Sequence, residues 1–248
     1  MNNKHLIVSE TFYSIQGEGP CVGVPAVFLR LAGCNLRCNG FSYKDPETGK
    51  HLGCDTKKVW QKGIRKTFRT ILDDWKQQGW FDALKNGAHL VITGGEPMIQ
   101  HVPLAEFISL FDEKIGVQVY IEMETNATIP LNDYLLQRIN QVNASPKLSH
   151  SGEPRDKAYI KDVLKTYVDN DRAIFKFVIA KESDIEEVIE SFIGVFKIDR
   201  SRVWLMPEGG CQRDMQDRQG WLIERCKHYV FNFSTRLHIN VWDEATGV

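Results

Sequence analysis

The chain has 248 residues, 42% of them apolar and 25% charged, an ordinary globular composition with length for one large α/β domain or two small ones. Its formal net charge of −1 argues against a nucleic-acid grip built on a broad basic face, and no stretch approaches the roughly 20 apolar residues a membrane span needs. The N-terminal Met1-Asn2-Asn3-Lys4-His5 lacks an apolar signal core, so the expectation is a soluble, cytosolic protein that binds neither membrane nor nucleic acid.

No internal repeat or low-complexity linker interrupts the chain. Apolar β-type runs alternate with helical periodicity, which predicts successive βα units. Strands are predicted at His5 to Phe12 and at Ala26 to Leu31, and a loop rich in Gly and Cys follows from Gly33 to about Lys58. Phe68, Ile71, Leu72 and Trp75 recur at helical spacing. A strand over His89 to Thr93 precedes a helix carrying Leu104, Phe107, Ile108, Phe111 and Ile115. Next come a strand at Val117 to Ile121, a short helix near Leu131 to Ile139 and a short strand at Gln141 to Ala144. The polar segment Pro154 to Asp171 has a weak helical pattern around Tyr159, Val163 and Tyr167. Ala173 to Ile179 reads as a strand, and Ile185, Val188, Ile189, Phe192 and Ile193 as an amphipathic helix. A strand at Val203 to Met206, a helix through Trp221, Leu222, Cys226 and Tyr229, and a closing strand at Arg236 to Trp242 complete the pattern. The implied fold class is α/β, with about six parallel strands in a partial or complete barrel or an open sheet. In either architecture the active groups gather at the C-terminal ends of the strands.

Cys34, Cys38 and Cys54 all lie in the loop after the second strand. Three thiolates at one strand end can hold an iron–sulfur cluster, and a 4Fe-4S cluster on three cysteines leaves one iron open for catalysis. Three cysteines with His51 are also a structural zinc set. Cys226 reads as core, and Cys21 and Cys211 as incidental loop thiols. The strand His89 to Thr93 runs into Gly94-Gly95-Glu96-Pro97, where two glycines expose backbone to close approach.

A three-cysteine loop after an early strand, then Gly-Gly-Glu-Pro after the next, resembles the radical S-adenosylmethionine (SAM) superfamily. Further matches run nearly the whole length: Phe12-Tyr13-Ser14-Ile15-Gln16-Gly17-Glu18-Gly19, Gly23 to Leu36, Cys54-Asp55-Thr56, Glu124-Thr125-Asn126, Ser145-Pro146-Lys147, Leu205-Met206-Pro207-Glu208-Gly209, and Arg236-Leu237-His238 near Trp242. These resemble the 7-carboxy-7-deazaguanine synthase family. The resemblance implies one radical SAM domain over residues 1–248, a shortened six-strand βα barrel and a homodimer. It further implies a lyase that converts 6-carboxy-5,6,7,8-tetrahydropterin to 7-carboxy-7-deazaguanine with loss of ammonia, on a 4Fe-4S cluster, SAM and magnesium. A flavodoxin-type protein is the expected electron donor.

Carried onto this sequence, the resemblance makes Cys34, Cys38 and Cys54 the cluster ligands and Thr56 the magnesium ligand. Gly53, Asp55, Gly94, Gly95, Glu96, Glu124, Asn126, Ser145, Pro146 and Lys147 fall to SAM, with Glu124 and Asn126 toward its ribose. Ile15, Gln16, Gly17, Glu18, Arg30, Thr93 and His238 fall to substrate. Physically, Arg30 suits a carboxylate held in bidentate fashion. Glu18 suits the ring nitrogens, and Gln16 adds amide contacts. One departure stands out: fifteen residues, Asn39 to Gly53, separate the second cysteine from the third, more than the family usually has. This insert is polar and turn-rich, so it is expected to loop out without moving the thiolates. Docking of a reductant and service as a lid are both open to it. Another radical SAM enzyme, such as a glycyl-radical activase, and a zinc-stapled interaction protein are the competing readings.

Overall fold

Nine strands form one sheet in the computed structural model, which describes residues 4–245 and 247. Met1 to Asn3, part of the stretch read for a signal core, lie outside the described residues. The strands are β1 (His5–Ile15), β2 (Pro25–Leu31), β5 (Ile64–Thr67), β6 (His89–Gly94), β7 (Ile121–Thr125), β8 (Gln141–Ala144), β9 (Ala173–Ile179), β10 (Val203–Pro207) and β11 (Asn232–Phe233). Their spatial order is β11-β10-β9-β8-β7-β6-β2-β1-β5. From β2 to β11 every neighbour pairs in parallel, whereas β1 runs antiparallel to both β2 and β5. The fold is therefore α/β with a mostly parallel sheet. Among the described residues the two edge strands, β5 and β11, do not pair with each other.

The two faces of the sheet differ because side chains alternate along each strand. Outward positions are apolar and buried: Val27, Leu29 and Leu31 on β2, Leu90 and Ile92 on β6, Ile121 and Met123 on β7, Phe175 and Phe177 on β9. The helices cover this face. Helix Phe68–Gln77 starts at Thr67, whose side chain accepts from the Thr70 N–H, and buries Phe68, Ile71, Leu72 and Trp75. Trp75 is fully buried and meets the ring of Phe107, on helix His101–Ile115, edge-on at 5.8 Å. Inward positions carry the chemistry instead: Arg30, Thr93, Glu122, Glu124, Asn143 and Lys176.

Four elements differ from the sequence expectation. The first strand belongs to an antiparallel pair with β2 rather than to a βα unit. The strand predicted at Val117 to Ile121 lies four residues further on, at Ile121–Thr125, because Gly116 caps the preceding helix with φ of 74° and Glu122 and Glu124 turn inward. Arg236 to Trp242 is not a closing strand: Leu237–Trp242 is helical, and the edge strand is Asn232–Phe233 beside β10. The insert does not simply loop out. It forms a two-stranded ladder, β3 (Tyr43–Lys44) with β4 (His51–Gly53), pinned where Asp45 meets Lys58 at 2.5 Å. No helix among the described residues is long and apolar enough to cross a membrane.

Candidate active site

The C-terminal ends of β2, β6, β7, β8, β9 and β10 open onto one cavity of about 310 Å³. Cys34, Cys38 and Cys54 all line it, with Gly94 and Gly95 from the turn after β6. The cluster loop is built tightly against that turn. The Glu96 N–H donates to the Gly33 carbonyl at 2.9 Å, and a Cβ on Gly95 would stand 2.4 Å from the same oxygen. Gly53 has φ of 77°, and a Cβ there would lie 2.4 Å from the Cys38 carbonyl. Cys38 itself is left-handed, with φ of 49°, a conformation that costs a non-glycine residue roughly 1–2 kcal/mol. The carboxylate of Glu153 holds it there, accepting from the backbone N–H groups of Arg37 and Cys38.

Glu96 is fully buried beneath the turn. Its carboxylate accepts from Met98 N, Thr125 Oγ1 and Asn126 N at 2.9, 2.9 and 2.6 Å. Burial raises its pKa, and these three donors work against the rise. Glu96 thus positions the backbone at Asn126 rather than lining the cavity. Lys147 extends into the mouth and donates to Ser145 Oγ at 3.1 Å. Thr56 stands at the N-cap position of helix Lys57–Trp60, yet its hydroxyl caps nothing and lies 3.3 Å from Cys54 Sγ.

The floor comes from the other direction. Because β1 is antiparallel to β2, residues 16–19 enter across the N-terminal ends of the parallel strands. Gln16 Nε2 donates to Glu122 Oε2 at 3.0 Å and Glu124 Oε1 at 3.3 Å. Lys176 is 2% exposed and holds two carboxylates, Glu18 at 2.5 Å and Glu124 at 2.9 Å. Arg236 extends the chain of charges, pairing Glu18 at 2.9 Å and Asp55 at 2.7 Å. Burial works to raise the Glu18 pKa, but the charges of Lys176 and Arg236 outweigh it and hold Glu18 well below the usual carboxylate range. Burial raises Glu124, with Lys176 opposing. His238 is held down at about 4, first by burial and then by the Arg236 charge.

Nearly all the residues singled out from the sequence therefore meet in one place. Glu96 and Pro146 are the two that do not line the cavity. Arg30 lines it, and its Nε pairs with Glu10 at 2.8 Å while the guanidinium lies 5.7 Å from the Phe12 ring centre. Among the described residues no partner takes its terminal amino groups. Sequence reading missed Lys176, Arg236 and Glu208 as working residues. The signal for Lys176 was a charge between Phe175 and Phe177 in a strand otherwise apolar. Glu208 anchors the insert, accepting from Ser42 N and Oγ, both at 2.6 Å. Through that contact Phe41, Ser42 and Tyr43 of the insert become part of the cavity wall.

The donor set fits the group the cysteines imply. Cys34, Cys38 and Cys54 bring three sulfur donors to one cavity, the donor type an iron–sulfur cluster takes, and burial pushes the Cys38 thiol up to about 12 and raises Cys34. Magnesium finds less: one hydroxyl, Thr56, with the carboxylate of the preceding residue, Asp55, already paired to Arg236.

No protein-family model matches the chain. Among curated proteins it is 32% identical to the 7-carboxy-7-deazaguanine synthase of Pyrobaculum aerophilum, over 97% of this chain and 96% of that one. The chain belongs to the 7-carboxy-7-deazaguanine synthase family. A second member, from Hyperthermus butylicus, is 34% identical over 96% and 94% of the two chains. The crystal structure of QueE from Escherichia coli superposes with a TM-score of 0.61 at 25% identity, covering 94% of this chain and 95% of that one. Membership of the synthase family makes this chain an enzyme, and the family's shared architecture is the α/β sheet described above.

Proposed function

We propose that this enzyme is a radical SAM lyase that contracts 6-carboxy-5,6,7,8-tetrahydropterin to 7-carboxy-7-deazaguanine with loss of ammonia. The observation that carries the reading is that three clustered thiols and a floor of paired charges face each other across one cavity. On this reading residues 1–248 form one domain. Cys34, Cys38 and Cys54 hold a 4Fe-4S cluster. A bound cluster would supply one-electron reduction of SAM, the source of radical chemistry at C6 of the substrate.

The remaining chemistry belongs to the chain. Arg30 offers its terminal amino groups to the substrate carboxylate. Glu18, kept ionised by Lys176 and Arg236, accepts from the guanidine-like edge of the ring, and Gln16 orients beside it with the Ile15 and Gly17 backbone. Thr93 and neutral His238 flank the substrate. Gly94, Gly95, Glu124, Asn126, Ser145 and Lys147 would hold SAM, with Gly53 and Asp55 at the mouth and Glu96 and Pro146 in the turns beneath. Thr56 would be the hydroxyl this chain offers to magnesium, an ion that also draws on water and substrate oxygens. A flavodoxin-type donor delivers the electron, and the working form is a homodimer.

The test is anaerobic turnover of reconstituted enzyme with the carboxylated tetrahydropterin, SAM and dithionite. The expected product is 7-carboxy-7-deazaguanine with SAM regenerated. Iron-replete protein that cleaves SAM but leaves the pterin unchanged would instead point to a different radical SAM substrate, such as the backbone of a partner enzyme. Colourless protein carrying only zinc would remove the radical mechanism altogether.

A further inference from the structure

Cys21, His89 and Glu122 stand apart from the cavity, and none of them lines it. A thiol, an imidazole nitrogen and a carboxylate oxygen from these three lie within 4.8 Å of one another. They come from three separate elements: the loop between β1 and β2, the first residue of β6, and the second residue of β7. We propose that they form a second metal site, for a divalent ion of the zinc class, under the floor of the sheet.

The donor types select the ion. Sulfur and imidazole nitrogen suit zinc, whereas magnesium and calcium require oxygen. Three protein donors with water in the fourth position make a tetrahedral set. In such a set the donors stand roughly 3.3–3.7 Å apart, given metal–ligand bonds of about 2.0–2.3 Å. The His89 Nδ1 to Glu122 Oε1 contact is 2.7 Å, so this pair opens by about 0.6–1 Å to admit the ion.

Outer partners already fix His89 and Glu122 in place. The ring of Tyr120 stacks on His89, centres 4.3 Å apart and planes 24° from parallel. The second oxygen of Glu122 accepts from Gln16 Nε2 at 3.0 Å and from Asn143 Nδ2 at 3.3 Å, leaving Oε1 for the ion. Such second contacts orient ligands and set their basicity. The charges also balance. A Cys21 thiolate and the Glu122 carboxylate together cancel a divalent cation, with His89 neutral. The adjacent Glu124 is already matched by Lys176 at 2.9 Å. A neutral assembly avoids the cost of burying an unmatched charge.

The ion would tie the β1–β2 loop to the roots of β6 and β7. That loop carries Gln16 to Glu18, and it is otherwise closed by the pairs Gln16 N to Val24 O and Gly23 N to Gln16 O, both 2.8 Å. Cys21 then acts as a clamp for the floor rather than as an incidental thiol. The inference uses none of Cys34, Cys38 or Cys54, so it stands or falls separately from the cluster.

The test counts metals on the cluster-loaded enzyme. Anaerobically reconstituted protein is incubated with zinc chloride, desalted, and analysed for zinc and iron by mass spectrometry; affinity is read by competition with a chromophoric chelator. One zinc per chain is expected in addition to the cluster iron. Cys21→Ser and, independently, His89→Gln should each weaken zinc binding at least tenfold while iron per chain stays constant. Cobalt(II) should add a thiolate charge-transfer band in the wild type that Cys21→Ser lacks. Three results overturn the proposal: no zinc retained by iron-replete wild type; zinc retained equally by both variants, an adventitious ion only; or zinc that disappears only with the Cys34, Cys38 and Cys54 thiols. Should Cys21→Ser fail to fold, His89→Gln decides.

Discussion

Replacing Lys176 with methionine removes the one positive charge shared by Glu18 and Glu124. Burial alone would lower a lysine pKa, but the charges of Glu124 and Glu18 reverse this and hold Lys176 protonated. In Lys176→Met, Glu18 keeps Arg236 at 2.9 Å, whereas Glu124 is left with only the amides of Gln16 and Asn143, at 3.3 and 2.8 Å. Breaking a buried ion pair from one side costs about 3–5 kcal/mol. For a chain of this length each kcal/mol moves the midpoint by about 2–4 °C, so the expected fall in Tm is roughly 6–20 °C. The assay is thermal and urea unfolding of wild type, Lys176→Met, Glu124→Gln and the double variant at neutral pH. The double variant should regain at least about 1.5 kcal/mol over the sum of the singles, because a neutral amide at 124 needs no cation. Lowering the pH should narrow the gap as Glu124 takes up a proton. A Lys176→Met protein within 1 kcal/mol of wild type, or a double variant no better than additive, would refute this account of the floor.

Gly95→Ala should cost about 1–3 kcal/mol and reduce iron per chain, because the new Cβ would meet Gly33 O at 2.4 Å and Cys34 Cβ at 2.6 Å; normal iron content would show that the loop yields. His238 stays neutral in the fold down to about 4 but takes up a proton in the unfolded chain near 6.5, so stability should fall as pH drops between those values. A His238→Asn chain should lose that part of the slope in urea midpoint against pH, and an unchanged slope counts against the depressed pKa. Arg30→Lys should weaken pterin binding at least tenfold more than SAM binding, since a point charge does not replace a planar fork. Equal losses for the two ligands, measured by titration, would remove Arg30 from carboxylate recognition.

The parts of this molecule legible in its sequence are those decided by local backbone and periodicity. The strands at Gln141–Ala144 and Ala173–Ile179 fall where the apolar runs put them, and helix Phe68–Gln77 follows the spacing of Phe68, Ile71, Leu72 and Trp75. The cysteine loop and the Gly94-Gly95 turn are legible for the same reason: their chemistry sits in contiguous residues. The segment Arg236 to Trp242 misled because so short an apolar stretch fits a helix as well as a strand. What decides there is a distant contact, the Leu237 N–H donating to the Gly17 carbonyl at 2.8 Å. Lys176, Arg236 and Glu208 escaped because their partners, Glu18, Glu124, Asp55 and Ser42, arrive from other strands and loops. The grouping of Cys21 with His89 and Glu122 escaped likewise, since 68 and 33 residues separate its successive members and only the parallel register of β6 and β7 closes the distance.

The alternation of faces along the strands divides the labour between adjacent codons. At Leu29 or Leu31 a change is felt throughout the molecule as loosened packing; one position away, at Arg30, it is felt by whatever occupies the cavity. Selection can therefore retune ligand preference through every second residue while the intervening ones keep the scaffold intact. A library randomised only at Thr93 and Val178, which line the cavity outside the floor's ion pairs, would explore new substrates on a frame it leaves untouched.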